Sequence, residues 1–394
     1  MTDKTDKGLL PAGLSDVLAP DAAFEASVLE RLLADFSAHG YERVDPPLIE
    51  FEDSLLTGIG AGVAEQTFRL MDPVSQKMMG VRADMTPQVA RIAAKRMSKA
   101  PRPLRLSYAG QVLRVRGSQL RSERQFTQAG AELIGPDAPA ADAEVIVMAA
   151  EALANLGIRD LSIDLGLPTL AAAVSENAGN EKIRARLRQA LDRKDAASVA
   201  ELGSDIGEDT ARTLAAMISA AGPATETLAA LENLNLSGDA ADGHGLLADV
   251  VERVRAALPD LAITIDPVEN RGFEYHSGVT FTFFAKGVRG ELGSGGRYVT
   301  NGEDSKNSEG ATGFTLFMDT VLRAVKPPEP KRRVYLPAET PADKAAQLRA
   351  EGWVTVAELS DSENAKAEAV RMGCTHILDG DEVLELQQTK PKAT

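Results

Sequence analysis

Cysteine is nearly absent, with Cys374 standing alone among 394 residues. One thiol excludes a disulfide framework and a cysteine-rich metal site. Histidine is scarce too. The four copies are widely spaced, and no pair has metal-ligand spacing. Positive charge is in deficit: 43 lysines and arginines face 58 aspartates and glutamates, a formal net charge of −15. That sign opposes general binding to a nucleic-acid backbone, while leaving room for a local basic pocket. No stretch approaches about 18 uninterrupted apolar residues, and the opening MTDKTDKGLL has no apolar signal core. A soluble, cytoplasmic chain with no membrane span is expected. No GxGxxG follows a first strand and no GxxxxGK[ST] occurs, which removes the ordinary dinucleotide and P-loop sites.

What is present suffices for a folded protein of two or three domains, with 44% hydrophobic residues. Phe24, Val28, Leu32 and Phe36 recur at helical spacing, and Gly40 is a natural stop. QTFRLMDP and KMMGVRAD read as a hairpin. TPQVARIAAKRMSK reads as a helix capped by Thr86, with Pro87 in its first turn. PLRLSYAGQVLRV and RQFTQAGAELIG read as antiparallel strands around a basic loop, and AADAEVIVMAAEALANLGI as an amphipathic helix. From 169 to 257 the chain turns alanine-rich and helical in spacing, as in EKIRARLRQALDRKDAASVAELG. Strands return with LAITIDP, VTFTFFAK and RGELGSGGRY, and FTLFMDTVLRAV reads as a helix. KPPEPKRR is a linker by composition, and the tail alternates β-α-β-α-β. The expected class is α+β: antiparallel strands flanked by helices over 8–168 and 258–325, a helical insertion at 169–257, and a small α/β domain at 331–394.

Chemistry could reside in four places. Arg114, Arg116, Arg121 and Arg124 cluster in an acidic chain; they suit an oxyanion site, or equally an exposed loop that needs charge. Gln128 and Glu132 share a strand face, so they line a pocket or a wet sheet edge. A glutamate among apolar neighbours must find a partner or raise its pKa, and a ligand ammonium group would be such a partner. ENRGFEYHSG combines Arg271, Tyr275 and His276; a histidine in such a place more often packs and makes a hydrogen bond. GSGGRY brings backbone amides near a ligand, or makes a bulge or tight turn.

In order, RADMTP, GQVLRV…RQFTQAGAELIG, NRGFEYHSG and GGRY resemble the histidyl-tRNA synthetase family, of class II aminoacyl-tRNA synthetase fold, over roughly residues 8–325. The resemblance implies that Arg114 stands where an arginine meets the ATP α-phosphate. The acidic neighbour expected two positions on is Arg116. In the last motif Phe317, Asp319 and Thr320 replace glycine, glutamate and arginine, and a threonine cannot supply an arginine's charge to phosphate. The amino-acid side is better kept. Asp84 matches an acidic residue near the ligand ammonium, Gln128 and Glu132 match amino-acid contacts, Arg271 matches the arginine near the histidine carboxylate, Tyr275 matches a pocket aromatic, and His276 replaces the tyrosine beside it. The tail is also shorter than an anticodon-binding domain.

Within that family the pattern resembles the synthetase-like regulatory subunits of ATP phosphoribosyltransferase. This implies a non-catalytic partner for a short catalytic subunit, required for its activity and for histidine feedback in the first step of histidine biosynthesis. A homodimer within a hetero-oligomer is expected, with histidine as allosteric ligand and no metal, cofactor, nucleic acid or membrane partner. A divergent histidyl-tRNA synthetase and a stand-alone histidine sensor are the alternatives.

Overall fold

The computed structural model describes residues 9–117, 121–176, 179–269, 276–300, 308–359 and 364–386. The chain divides into two compact units between Lys326 and Pro327. Among its described residues the first unit carries β1 (Glu42–Arg43), β2 (Ile49–Phe51), β3 (Phe68–Met71), β4 (Met78–Val81), β5 (Leu104–Leu113), β6 (Gln125–Ile134), β7 (Leu161–Gly166), β8 (Gly222–Pro223), β9 (Ala262–Asp266), β10 (His276–Ala285), β11 (Gly293–Val299) and β12 (Gly310–Phe317). Nine of them form one sheet in the order β1-β5-β6-β12-β11-β10-β7-β9-β8. Pairing is antiparallel except for β1 with β5 and β7 with β9. This is the α+β arrangement that the strand pattern predicts.

One face of the sheet is closed by helices Asp21–Ala38 and Pro139–Asn155. Val28, Leu32, Leu33 and Phe36 of the first are its buried stripe, at the spacing read from the sequence. Each such side chain contributes about 1.5–3 kcal/mol when withdrawn from water. Gly40, at φ +84°, ends the helical turn, a backbone state that suits glycine. Phe36 meets Phe314 edge-on at 5.4 Å and ties helix to sheet. Among the described residues the elements between Pro168 and Ala257 are helices apart from β8, and Leu187, Leu191, Leu214 and Val250 join the same core as Ile163 and Phe281.

β2, β4 and β3 form a separate three-stranded sheet. Register places Ile49, Phe51, Phe68, Leu70, Met79 and Val81 on one face. None of the six is buried, and Phe51 is 42% exposed.

The second unit is a four-stranded sheet of Arg333–Leu336, Val354–Ala357, His376–Asp379 and Glu382–Glu385, with helices Ala342–Ala350 and Ala365–Arg371. The fourth strand adds to the β-α-β-α-β pattern of the sequence and pairs antiparallel with the third.

Three local expectations are corrected. Thr86 does not cap its helix; it is the first helical residue of Thr86–Arg91, and its hydroxyl is drawn to Glu132 instead. Phe314–Phe317 belong to β12, and the helix runs only over Met318–Ala324, because this apolar run pairs with β6 and β11 in the sheet centre. GSGGRY is the body of β11 rather than a tight turn, and a register shift between His276 and Thr280 interrupts its pairing with β10. The glycines of β11 are steric: a Cβ at Gly295 would strike the Gly313 carbonyl and the Phe281 ring.

Candidate functional site

β6 is buried from Phe126 to Ile134, so its alternation decides what faces what. Ala129, Ala131 and Leu133 join the helix-side core, and Phe126 and Ile134 join the core on the other side with Met85 and Tyr108. Gln128 and Glu132 fall in the second set, at even spacing from Phe126. The structure therefore brings them together with Asp84 and Thr86, as a shared strand face requires. Gln128 accepts from the Met85 N–H at 3.1 Å and donates to Asp84 Oδ2 at 3.1 Å. Asp84 Oδ1 accepts from the Thr86 N–H at 2.9 Å.

Glu132 is only 1% exposed. Its Oε1 accepts from Thr86 Oγ1 at 2.9 Å and more weakly from Tyr108 Oη at 3.4 Å; its Oε2 accepts from Tyr298 Oη at 2.9 Å. All three donors are neutral. Burial pushes the carboxyl up to about 8, the hydroxyls pull against it, and nearby Asp84 adds to the rise. Gly313 lies opposite Glu132 across β12, and a Cβ there would collide with the carboxylate. The glycine thus makes room for the acid. Tyr298 and Tyr108 were not singled out from the sequence as partners of Glu132. Strand alternation was the available signal: Tyr108 stands opposite Gly130, two residues from Glu132.

Above these groups lies a cleft of about 290 Å³, walled by Asp84, Thr86, Arg114, His276, Thr315 and Phe317 among others. Gln128 and Glu132 are not on that wall; they lie behind Asp84 and Thr86. Asp164, Glu269 and Glu291 join Asp84 in the lining, so among the described residues four carboxylates face one arginine. His276 opens β10, half-buried, beside Gly296. Arg271 and Tyr275 lie outside the described residues.

Of the arginine cluster, only Arg114 lines the cleft. Arg114 approaches Asp84 Oδ2 at 3.9 Å, donates to the Ala83 carbonyl at 3.3 Å, and lies over the Phe126 ring at 5.0 Å. Burial lowers its pKa and Asp84 opposes the shift; an arginine stays charged under such pressure. Arg121 donates to Asp319 Oδ2 at 2.9 Å and stacks 4.0 Å above the Phe317 ring. Arg124 donates to the carbonyls of Arg114 and Ala12. Arg116 is exposed. Thr320 is 1% exposed, and its hydroxyl accepts from Arg323 at 3.0 Å. Position 320 therefore offers no cation, and Arg114 and Arg121 are engaged with carboxylates of their own chain. The Arg121–Asp319 pair was not legible in the sequence, since its partners lie far apart in the chain. No group of three metal-ligating side chains is placed to hold an ion among the described residues, and no helix there is long and apolar enough to cross a membrane.

The sequence profile of the histidyl-tRNA synthetase family matches residues 13–321. An ATP phosphoribosyltransferase regulatory subunit of Paramagnetospirillum magneticum is 56% identical over 388 residues, 98% of this chain and 100% of that protein. One of Rhodospirillum centenum is 55% identical over 380 residues, 96% of each. The crystal structure of an ATP phosphoribosyltransferase regulatory subunit/histidyl-tRNA synthetase from Bacillus halodurans matches with a TM-score of 0.81 at 22% identity, over 93% of this chain and 97% of that one, which shows the shared fold.

Proposed function

The chain belongs to the family of ATP phosphoribosyltransferase regulatory subunits, and we propose that it pairs with a short catalytic subunit, is required for that subunit's full activity, and transmits feedback inhibition by histidine. One observation carries this reading: among the described residues the cleft is lined by four carboxylates and one arginine, Arg114, which lies 3.9 Å from Asp84, while Arg121 outside the lining is held by Asp319. Such a cleft suits a cationic amino acid and is poor at drawing in a triphosphate. An amino acid held there is bound without being activated.

Asp84, on the wall, meets the ligand ammonium. Glu132 lies behind it and adds negative charge when it ionises, Gln128 holds Asp84 in place, and Arg271 faces the ligand carboxylate. Tyr275 and His276 complete the pocket. Arg114, Arg116 and Thr320 are the remains of a nucleotide site. The same reading divides the chain into a core of 8–168 and 258–325, a helical insertion at 169–257 and a C-terminal domain at 331–394. A homodimer sits within the hetero-oligomer. The six-residue apolar face of the three-stranded sheet supports it, because an uncharged face lets two chains of net charge −15 approach.

The test is reconstitution. Formation of the phosphoribosyl-ATP product is followed for each protein alone and for the mixture, with and without histidine. Full activity is expected only in the mixture, and inhibition by histidine only there. A catalytic subunit that is fully active and histidine-sensitive by itself would defeat the proposal.

A further inference from the structure

Helices Pro168–Val174 and Glu181–Asp192 leave between them a groove of about 280 Å³, on residues that the cleft does not use. Its floor is apolar: Ala171, Leu187 and Leu191 are each at most 3% exposed. Asn180 fixes where the second helix begins, its side-chain oxygen accepting from the N–H groups of Lys182 and Ile183 at 3.1 and 3.2 Å. With Leu187 and Leu191 turned inward, spacing of three and four residues sets Arg184 and Arg188 on the groove's rim, where Arg188 meets Glu181 at 3.3 Å in an exposed pair that costs little to exchange for another carboxylate. Between Glu181 and Asp195 the chain carries six cations against three carboxylates, reversing the sign of the molecule as a whole. Lys182, Arg184, Arg186, Arg188 and Arg193 are exposed.

The charge and the floor narrow what fits. A second copy docked two-fold on this patch would set cations against cations. A nucleic acid would gain from the arginines but nothing from the apolar floor, and among the described residues no aromatic ring lines the groove for a base to stack on. An acidic polypeptide with an aliphatic anchor satisfies both rim and floor. We propose that this groove receives an acidic segment of the catalytic subunit, one aliphatic side chain seated on Ala171, Leu187 and Leu191, with flanking carboxylates facing Arg184 and Arg188. The proposal rests on the reading that such a subunit binds this chain, and adds where.

Two variants of the full chain test it. Arg184→Glu combined with Arg188→Glu reverses the rim; Ala172→Trp fills the groove from its half-buried wall. Association with the short catalytic subunit is measured by biolayer interferometry across salt concentrations, with a thermal melt of each protein. About 10-fold weaker association or more is expected for each variant at unchanged melting temperature, with a flatter salt dependence for the charge reversal alone. Wild-type association that neither variant alters overturns the groove while leaving the proposed function intact. No association by the wild type overturns both. Wild-type binding of a tRNA that the charge reversal abolishes, with subunit association unaffected, assigns the patch to RNA and overturns the proposal.

Discussion

The cleft and the arginine pairs outside its lining hold charged groups in opposite ways. At the cleft Glu132 is buried behind the wall among hydroxyls, and Asp84 stands at the wall with neutral donors and Arg114 at 3.9 Å. Outside the lining, Arg121 and Asp319 complete each other at 2.9 Å and Thr320 is satisfied by Arg323. The first has four carboxylates in its lining for one arginine and gains from a ligand that brings positive charge. The second gains little, because its cations are already paired and hydrogen-bonded. On the proposed function, a nucleotide site is lost by internal pairing as well as by deletion, and the binding of an amino acid separates from its activation.

The largest expected effect concerns that separation. Histidine-dependent pyrophosphate exchange by the purified chain should be undetectable; turnover at about 1 per second or faster, the ordinary enzymatic range, would break the comparison. Next comes Asp84→Asn, which removes the charge at the wall. Losing one partner of a desolvated charge pair costs about 2–5 kcal/mol, roughly 30-fold to several-thousand-fold in histidine affinity by calorimetry. Arg121→Ala acts outside the cleft lining. It leaves half-buried Asp319 with the longer contact to Arg323 at 3.9 Å and should lower unfolding stability by about 3 kcal/mol in denaturant melts, while histidine affinity stays within about twofold.

The smallest effect is a slope with pH. The folded-state pKa of Glu132 is raised to about 8, so its protonated form favours the folded state. That contribution is complete below the ordinary glutamate pKa and is lost as pH rises through about 8. Ligand-free stability should fall by up to about 1.4 kcal/mol per pH unit across this window from Glu132 alone. Glu132→Gln should flatten the slope in melts from pH 5 to 8. An unchanged slope would mean that Glu132 is not the buried acid described here.

Much of the fold was legible because strand and helix periods leave marks. The stripe of Val28, Leu32 and Phe36 and the pairing of PLRLSYAGQVLRV with RQFTQAGAELIG were readable residue by residue. So was the shared face of Gln128 and Glu132. Segments where two physical rules compete were less so. Phe314–Phe317 suits helix or strand by hydrophobicity, and only its neighbours in the sheet decide. Thr86 could cap a helix or serve a buried acid, and the acid, with few other donors, is the stronger claim on its hydroxyl. Arg121 with Asp319 and Glu132 with Tyr298 join residues distant in the chain, and no local pattern encodes such a meeting.

One experiment addresses the contrast directly: calorimetric titration of the same ligand-free protein with histidine and, separately, with ATP, each in two buffers of different ionisation enthalpy. Histidine should bind with net release of protons near pH 7, because a ligand ammonium held at Asp84, in front of Glu132, lowers a pKa that starts at about 8. ATP should give no binding heat. Binding of ATP comparable to that of histidine, or no binding of histidine at all, would contradict the account.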